Sequence, residues 1–186
     1  MKKIIILNAP PNSGKDVAAA YMAEKFSYSH QEFKRKLFEL TKAIYSISDE
    51  QWNKFYTREL KEVPSELLLG LTPRESLIYV SENIIKPNFS DEYFGNALAT
   101  SINNTDSGVF IISDGGFISE IQPLIREFGT ENIMIIRIHR DGCNFNKDSR
   151  NYLPDLPDIC TIDLDNNQTL ECFYNAVEVT ISDFLQ

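Results

Sequence analysis

Four consecutive apolar residues, Ile4–Leu7, open the chain and run into Asn8-Ala9-Pro10-Pro11-Asn12-Ser13-Gly14-Lys15-Asp16, after which apolar positions recur at helical spacing at Val17, Ala18, Tyr21, Met22 and Phe26. A continuous apolar run predicts a buried strand, and the switch of period predicts a helix to about Lys25, with a breaker-rich turn between them. Helical patterns follow over Glu32–Ser46, with Phe33, Leu37, Leu40, Ile44 and Tyr45 on one face, and from Ser48, whose S-x-x-Q form predicts a capping box. The only tryptophan, Trp52, sits in that third helix and reads as core. Thr72-Pro73-Arg74-Glu75 predicts another helix start, with Thr72 capping, Pro73 at the first position and Glu75 closing the box.

A helix over Asp91–Ile102 and a turn over Asn103–Gly108 lead to an apolar strand, Val109–Ser113, that ends in Asp114. Ile118, Ile121, Leu124, Ile125 and Phe128 predict a helix stopped by Gly129, in which Pro123 imposes a kink or marks the true first turn. A strand over Ile133–Ile138, a polar loop over Asp141–Pro157, a short strand over Ile159–Asp163 and an amphipathic helix from Leu170 to Leu185 complete the pattern. Strands alternating with helices, and a helical block between the first strand and the Asp114 strand, predict an α/β fold: a parallel sheet in three layers.

The 186 residues suit one domain. Lys and Arg total 18 against 27 Asp and Glu, a net charge of −9, which argues against nucleic-acid and anionic-membrane binding. No apolar run has membrane-spanning length and MKKIIIL is short for a secretory signal, so a cytoplasmic protein is expected. Cys143, Cys160 and Cys172 lack C-x-x-C spacing and read as free thiols.

Anion chemistry must therefore be local. A helix that starts directly behind a buried strand aims its first N–H groups at one spot, where its dipole also favours negative charge. The stretch nearly matches G-x-x-x-x-G-K-[ST], the phosphate-binding loop, in which lysine reaches the outer phosphates and a hydroxyl meets magnesium. Ala9 replaces the first glycine and Asp16 the hydroxyl residue, while Gly14 and Lys15 are in place. Ala9 is compatible with the loop where its φ stays negative. The alternative is an ordinary turn carrying a solvated lysine. Arg74 opposes the dipole of its helix, which reads either as indifferent surface or as a grip on an anion. Asp114 reads as a turn former or, beside such a loop, as an acid near a phosphate-bound metal. Arg137, His139, Arg140, Lys147 and Arg150 give the strand exit and long loop the character of a lid that closes over phosphates, or of a charged surface loop. His30 and His139 have no Ser, Cys or metal-ligand partner at informative spacing and read as structural or solvated.

SGKD at 13–16, LTPRESL at 71–77, DEYF at 91–94, IISDGGFISE at 111–120 and DSRNYL at 148–153 together resemble the deoxynucleoside monophosphate kinases of tailed bacteriophages, within the P-loop nucleotide kinases. The resemblance covers nearly the whole chain in order, and the aspartate after the loop lysine is typical of that family. It implies a single kinase domain with a helical monophosphate-binding insertion over 27–105 and a lid over 139–157. It implies ATP as phosphate donor with Mg2+, and a (deoxy)nucleoside monophosphate as acceptor. Asn12, Ser13, Gly14, Lys15, Asp16 and Val17 would bind the donor phosphates, Asp16 and Asp114 the metal, and Arg74 the acceptor phosphate. Arg137, Arg140 and Arg150 would gather at the transferring group. Nucleotides are then the partners, with no nucleic acid or membrane, and a homodimer is left open. The chain departs from the family pattern at Gly116, where an arginine is usual, at Ser81-Glu82-Asn83, at Lys86 and at Arg150. Another P-loop kinase with a different small phosphorylated substrate, or a nucleotide-binding module without turnover, are the alternative functions.

Overall fold

The computed structural model describes residues 1–57, 59–146 and 148–185, so that Lys147 of the expected lid lies outside the described residues. In chain order the elements are β1 (Lys3–Asn8), α1 (Lys15–Phe26), β2 (Ser29–Gln31), α2 (Lys34–Ile44), α3 (Asp49–Phe55), α4 (Pro73–Tyr79), a π-helical stretch Val80–Ile85, α5 (Lys86–Asn88) and α6 (Tyr93–Asn103). There follow β3 (Val109–Ile112), α7 (Ile118–Phe128), β4 (Ile133–His139), β5 (Cys160–Asp165) and α8 (Leu170–Ser182). Two compact units result: Met1–Phe33 with Gly95–Gln186, and Lys34–Phe94.

The first unit is built on a sheet of order β2-β3-β1-β4-β5 in which every pairing is parallel. Successive residues of a strand face opposite sides, so the apolar runs of β1, β3 and β4 supply two cores at once. Ile4, Ile6, Phe110, Ile112, Ile133 and Ile135 pack on one face against Leu98, Ala99 and Ile102 of α6 and Ile121 and Leu124 of α7. Ile5, Leu7, Ile111, Met134, Ile136 and Ile138 pack on the other against Ala18, Ala19 and Met22 of α1 and Phe173, Val177 and Ile181 of α8. Register is set by this burial: Ile4–Ile6 pair with Phe110–Ile112 on one side and with Ile133–Ile135 on the other, and a slip of one residue would turn both cores inside out.

The second unit is helical. Trp52 is buried in it, with its ring stacked on Tyr56 at 5.1 Å and tilted against Phe38 at 5.4 Å. Both expected capping boxes form. Ser48 Oγ accepts from Gln51 N and Thr72 Oγ1 from Glu75 N, and each third residue's side chain accepts from the cap's own N–H.

Three expectations change. The segment expected to be helical between β1 and the Asp114 strand contains β2, which adds a fifth strand beside β3. The helix expected from Glu32 starts at Lys34, and just ahead of it Phe33 N donates to Asp114 Oδ1 at 2.9 Å and Glu32 accepts from Ser113 Oγ. Val17, expected on the inner stripe of α1, is exposed, and Ala18, Ala19 and Met22 fill the contact instead. Pro123 lies inside α7 rather than at its start. Cys143, Cys160 and Cys172 are free. Among the described residues no helix is long and apolar enough to cross a membrane.

Candidate active site

In a parallel α/β sheet the crevice at the carboxyl ends of the strands, where connections leave in opposite directions, is the natural ligand site. Here β1 is flanked by β3 and β4, and the segments that leave the three strands carry Asn12–Val17, Asp114, Arg140 and Arg150, whereas Arg74 lies in the helical unit. The β1–α1 loop turns through two left-handed residues, Asn12 at φ 68° and Gly14 at φ 100°. Ala9 is not one of them and is buried in the core, so the position that usually needs glycine is served here by alanine. Gly14 is needed twice over. Its φ disfavours a side chain, and a Cβ would stand 2.4 Å from Asn166 Nδ2.

Lys15 begins α1 with a side chain only 10% exposed, at 3.9 Å from Asp16, which is 72% exposed. A merely solvated lysine would not be buried. Ser13 is fully buried, and among the described residues its Oγ has no hydrogen-bond partner. The loop is held from outside by two side chains: Asn166 Nδ2, from the β5–α8 connection, donates to Ser13 O at 2.8 Å, and Arg140 Nη1 donates to Asn12 O at 3.2 Å. Arg140 thus reaches the backbone of the β1–α1 loop.

At the exit of β3, Asp114 is buried and oriented by the Phe33 amide. Beside it Ser113 Oγ lies 2.8 Å from His30 Nε2 and donates to Glu32 Oε1 at 3.3 Å. His30 therefore has a serine partner 83 residues away, which linear spacing did not reveal. Serine stands between histidine and carboxylate, so the order of a nucleophilic triad, with histidine in the middle, is not met.

One buried residue of the site was not among the expected ones. Asn8, at the end of β1 and fully buried, donates to Gly115 O at 3.0 Å and Asn151 O at 3.1 Å and accepts from Leu153 N at 2.7 Å. One amide thereby ties together the exits of β1 and β3 and the long loop after β4. That loop is anchored further: Tyr152 OH donates to Ile138 O at 2.9 Å, its ring lies 4.4 Å from that of His139, and Leu153 is buried in the core.

The four expected arginines have different settings. Arg137 Nε and Nη2 grip Asp163 at 2.9 and 2.6 Å, while Nη1 reaches Leu153 O and Asp155. Arg137 foremost, with His139, holds the Asp163 carboxyl below the usual carboxylate range. Arg150 is largely buried on Asp148 near Asp114, and the Asp148 carboxylate keeps its guanidinium more firmly protonated than usual. Arg74, in the helical unit, is half-exposed and pairs with Glu62 at 2.6 Å, so a local acid offsets its unfavourable place in the first turn of α4.

Among the described residues no group of three or more His, Cys, Asp or Glu could hold a metal unaided. The donor set suits magnesium nevertheless, since that ion commonly takes one or two carboxylates and completes its shell with phosphate oxygens and water.

No family model matches the chain. It is 28% identical over 187 residues, 94% of this chain and 93% of the relative, to an Acanthamoeba polyphaga mimivirus protein named "Putative deoxynucleotide monophosphate kinase". Among solved structures it is similar to a sugar kinase from Janibacter sp., with TM-score 0.53, 12% identity and coverage of 97% of this chain and 95% of that one. A Chloroflexus aurantiacus structure titled "putative kinase" gives TM-score 0.54, 14% identity and coverage of 100% and 99%. The chain has the fold of the P-loop kinases, and its resemblance to the deoxynucleoside monophosphate kinases extends to a curated relative that carries that name along nearly its whole length.

Proposed function

We propose that this protein is a magnesium-dependent kinase that transfers the γ-phosphate of ATP to a (deoxy)nucleoside monophosphate. The comparisons support a kinase; the acceptor and the metal are our reading. The observation that carries it is the buried Lys15 at the start of α1, behind a loop turned by Asn12 and Gly14 and beside the strand that ends in Asp114.

Phosphoryl transfer asks a protein for position and charge neutralisation rather than for a nucleophilic side chain. In this reading the first amides of α1 and the Lys15 ammonium take the outer phosphates of ATP. Asp16 and Asp114 would hold magnesium, which would supply positive charge to neutralise the phosphates. Arg74 grips the acceptor phosphate, and Arg140 and Arg150 offset charge on the transferring group. Arg137 contributes by fixing β4, β5 and the long loop through Asp163, Asp155 and Leu153. The loop after β4, tied down at Asn151, Tyr152 and Leu153, would help to keep out water that competes with the acceptor.

Thermal-shift titration with ATP and each monophosphate, followed by coupled measurement of ADP release, tests the reading. Stabilisation by both nucleotides with acceptor-dependent ADP supports it. Stabilisation by ATP with no ADP from any monophosphate identifies a binding module instead.

A further inference from the structure

Asp148 lies in the long loop with its side chain only 7% exposed, which is rare for a carboxylate and costly unless it is paired. Its partner is two residues along. Arg150 Nε donates to Asp148 Oδ1 at 2.9 Å, Nη2 to Oδ2 at 2.6 Å, and the Arg150 amide to Oδ1 at 3.1 Å. The fork is thereby held along one side, and its remaining edge, Nη1, is turned to Asp114 O at 3.4 Å, at the exit of β3. That contact is longer than an ordinary N–H···O bond, so an anionic oxygen arriving there would form a shorter and stronger one.

The seat of this arginine is made by a missing side chain. A Cβ on Gly116 would fall 2.5 Å from Arg150 Cδ, 2.6 Å from Cγ and 2.8 Å from Cβ. Gly116 is not left-handed, so its backbone does not require glycine. The room for Arg150 does.

We propose that Asp148 is the positioning residue for Arg150, aiming its Nη1 edge at the phosphate being transferred, and that Gly116 provides the space in which the pair is held. The proposal rests on the phosphoryl-transfer reading above. Its logic is preorganisation: the cost of fixing a long cationic side chain is met on folding, so none of it is met at the moment of reaction.

The test is steady-state kinetics of ATP and monophosphate turnover for Asp148→Ala, Arg150→Ala, the double variant and Gly116→Ala, each with a thermal melt. Asp148→Ala is expected to lower kcat roughly 10- to 100-fold, the range for loss of a supporting contact, with KM for ATP nearly unchanged. In the Arg150→Ala background it should cost nothing further. Gly116→Ala leaves Asp148 untouched and should lower kcat in the same range, which keeps the test intact if Asp148→Ala fails to fold. Additive losses from Asp148→Ala and Arg150→Ala, or wild-type kcat in Gly116→Ala, would overturn the positioning role alone. Absence of ADP release from the wild type with every monophosphate would overturn the functional reading and the proposal with it.

Discussion

Replacing Gly14 by alanine puts the β1–α1 loop, the proposed phosphate site, under two separate loads. The first is conformational: at φ 100° and ψ 5° an L residue bears a penalty of roughly 1–2 kcal/mol that glycine does not. The second is steric, because the new Cβ would stand 2.4 Å from Asn166 Nδ2 and 3.4 Å from Phe173 Cε1. Asn166 must swing away, and its hydrogen bond to Ser13 O is then lost, at about 1 kcal/mol. Together the loads come to roughly 2–3 kcal/mol, or a fall in Tm of about 4–12 °C for a chain of this size. Because the strain falls on the residue before Lys15, ATP affinity should drop by about tenfold, the equivalent of 1.4 kcal/mol. Differential scanning calorimetry with ATP titration reads both effects. Asn166→Ala alone should cost only the smaller, hydrogen-bond share, and in its background Gly14→Ala should cost only the conformational share. A Gly14→Ala protein that melts within a degree of wild type and binds ATP normally would refute the left-handed turn and the clamp on it.

Arg74→Ala should raise KM for the monophosphate far more than KM for ATP, and equal effects on the two substrates would remove Arg74 from the acceptor site. Asp16 is exposed at the start of α1, where an acid suits the dipole. If it ligands magnesium, calorimetry should find ATP binding much weaker without the metal in wild type, and a smaller difference in Asp16→Asn. Identical magnesium dependence in the two proteins would leave Asp16 a helix-starting residue. Asp163, whose folded pKa is depressed by Arg137 and His139, contributes stability that is present above the ordinary carboxylate range near pH 4 and is lost as pH falls through its folded value. Urea denaturation should therefore show Asp163→Asn less stable than wild type at pH 7 and the gap narrowing below about pH 4; a gap of the same size at pH 3 would contradict the pairing.

What the sequence made legible is what repeats along it. Continuous apolar runs placed β1, β3 and β4 because strands buried on both faces leave no polar position to break the run. The capping boxes at Ser48 and Thr72 were legible because their partners are three residues apart. β2 was not, since Ser29-His30-Gln31 is polar and three residues long, and it is a strand only because β3 offers it an edge. The loop Gly14-Lys15-Asp16 stood out in sequence as a candidate phosphate site, but the residues that hold it did not. Asn166 meets Ser13 across 153 residues and Asn8 meets Gly115 across 107, distances at which an asparagine looks like any other. Gly116 read only as a departure from a family pattern; the space beside it is taken by Arg150, 34 positions further along the chain, a pairing that no local pattern marks.

The measurement closest to the central claim is ADP release from ATP and magnesium over a panel of ribo- and deoxyribonucleoside monophosphates, run on wild type and Lys15→Ala side by side. The account predicts release that requires a monophosphate in the wild type and is abolished in Lys15→Ala, with both proteins melting as folded chains. Equal turnover in Lys15→Ala and wild type, or no acceptor-dependent release from wild type with any member of the panel, would contradict it.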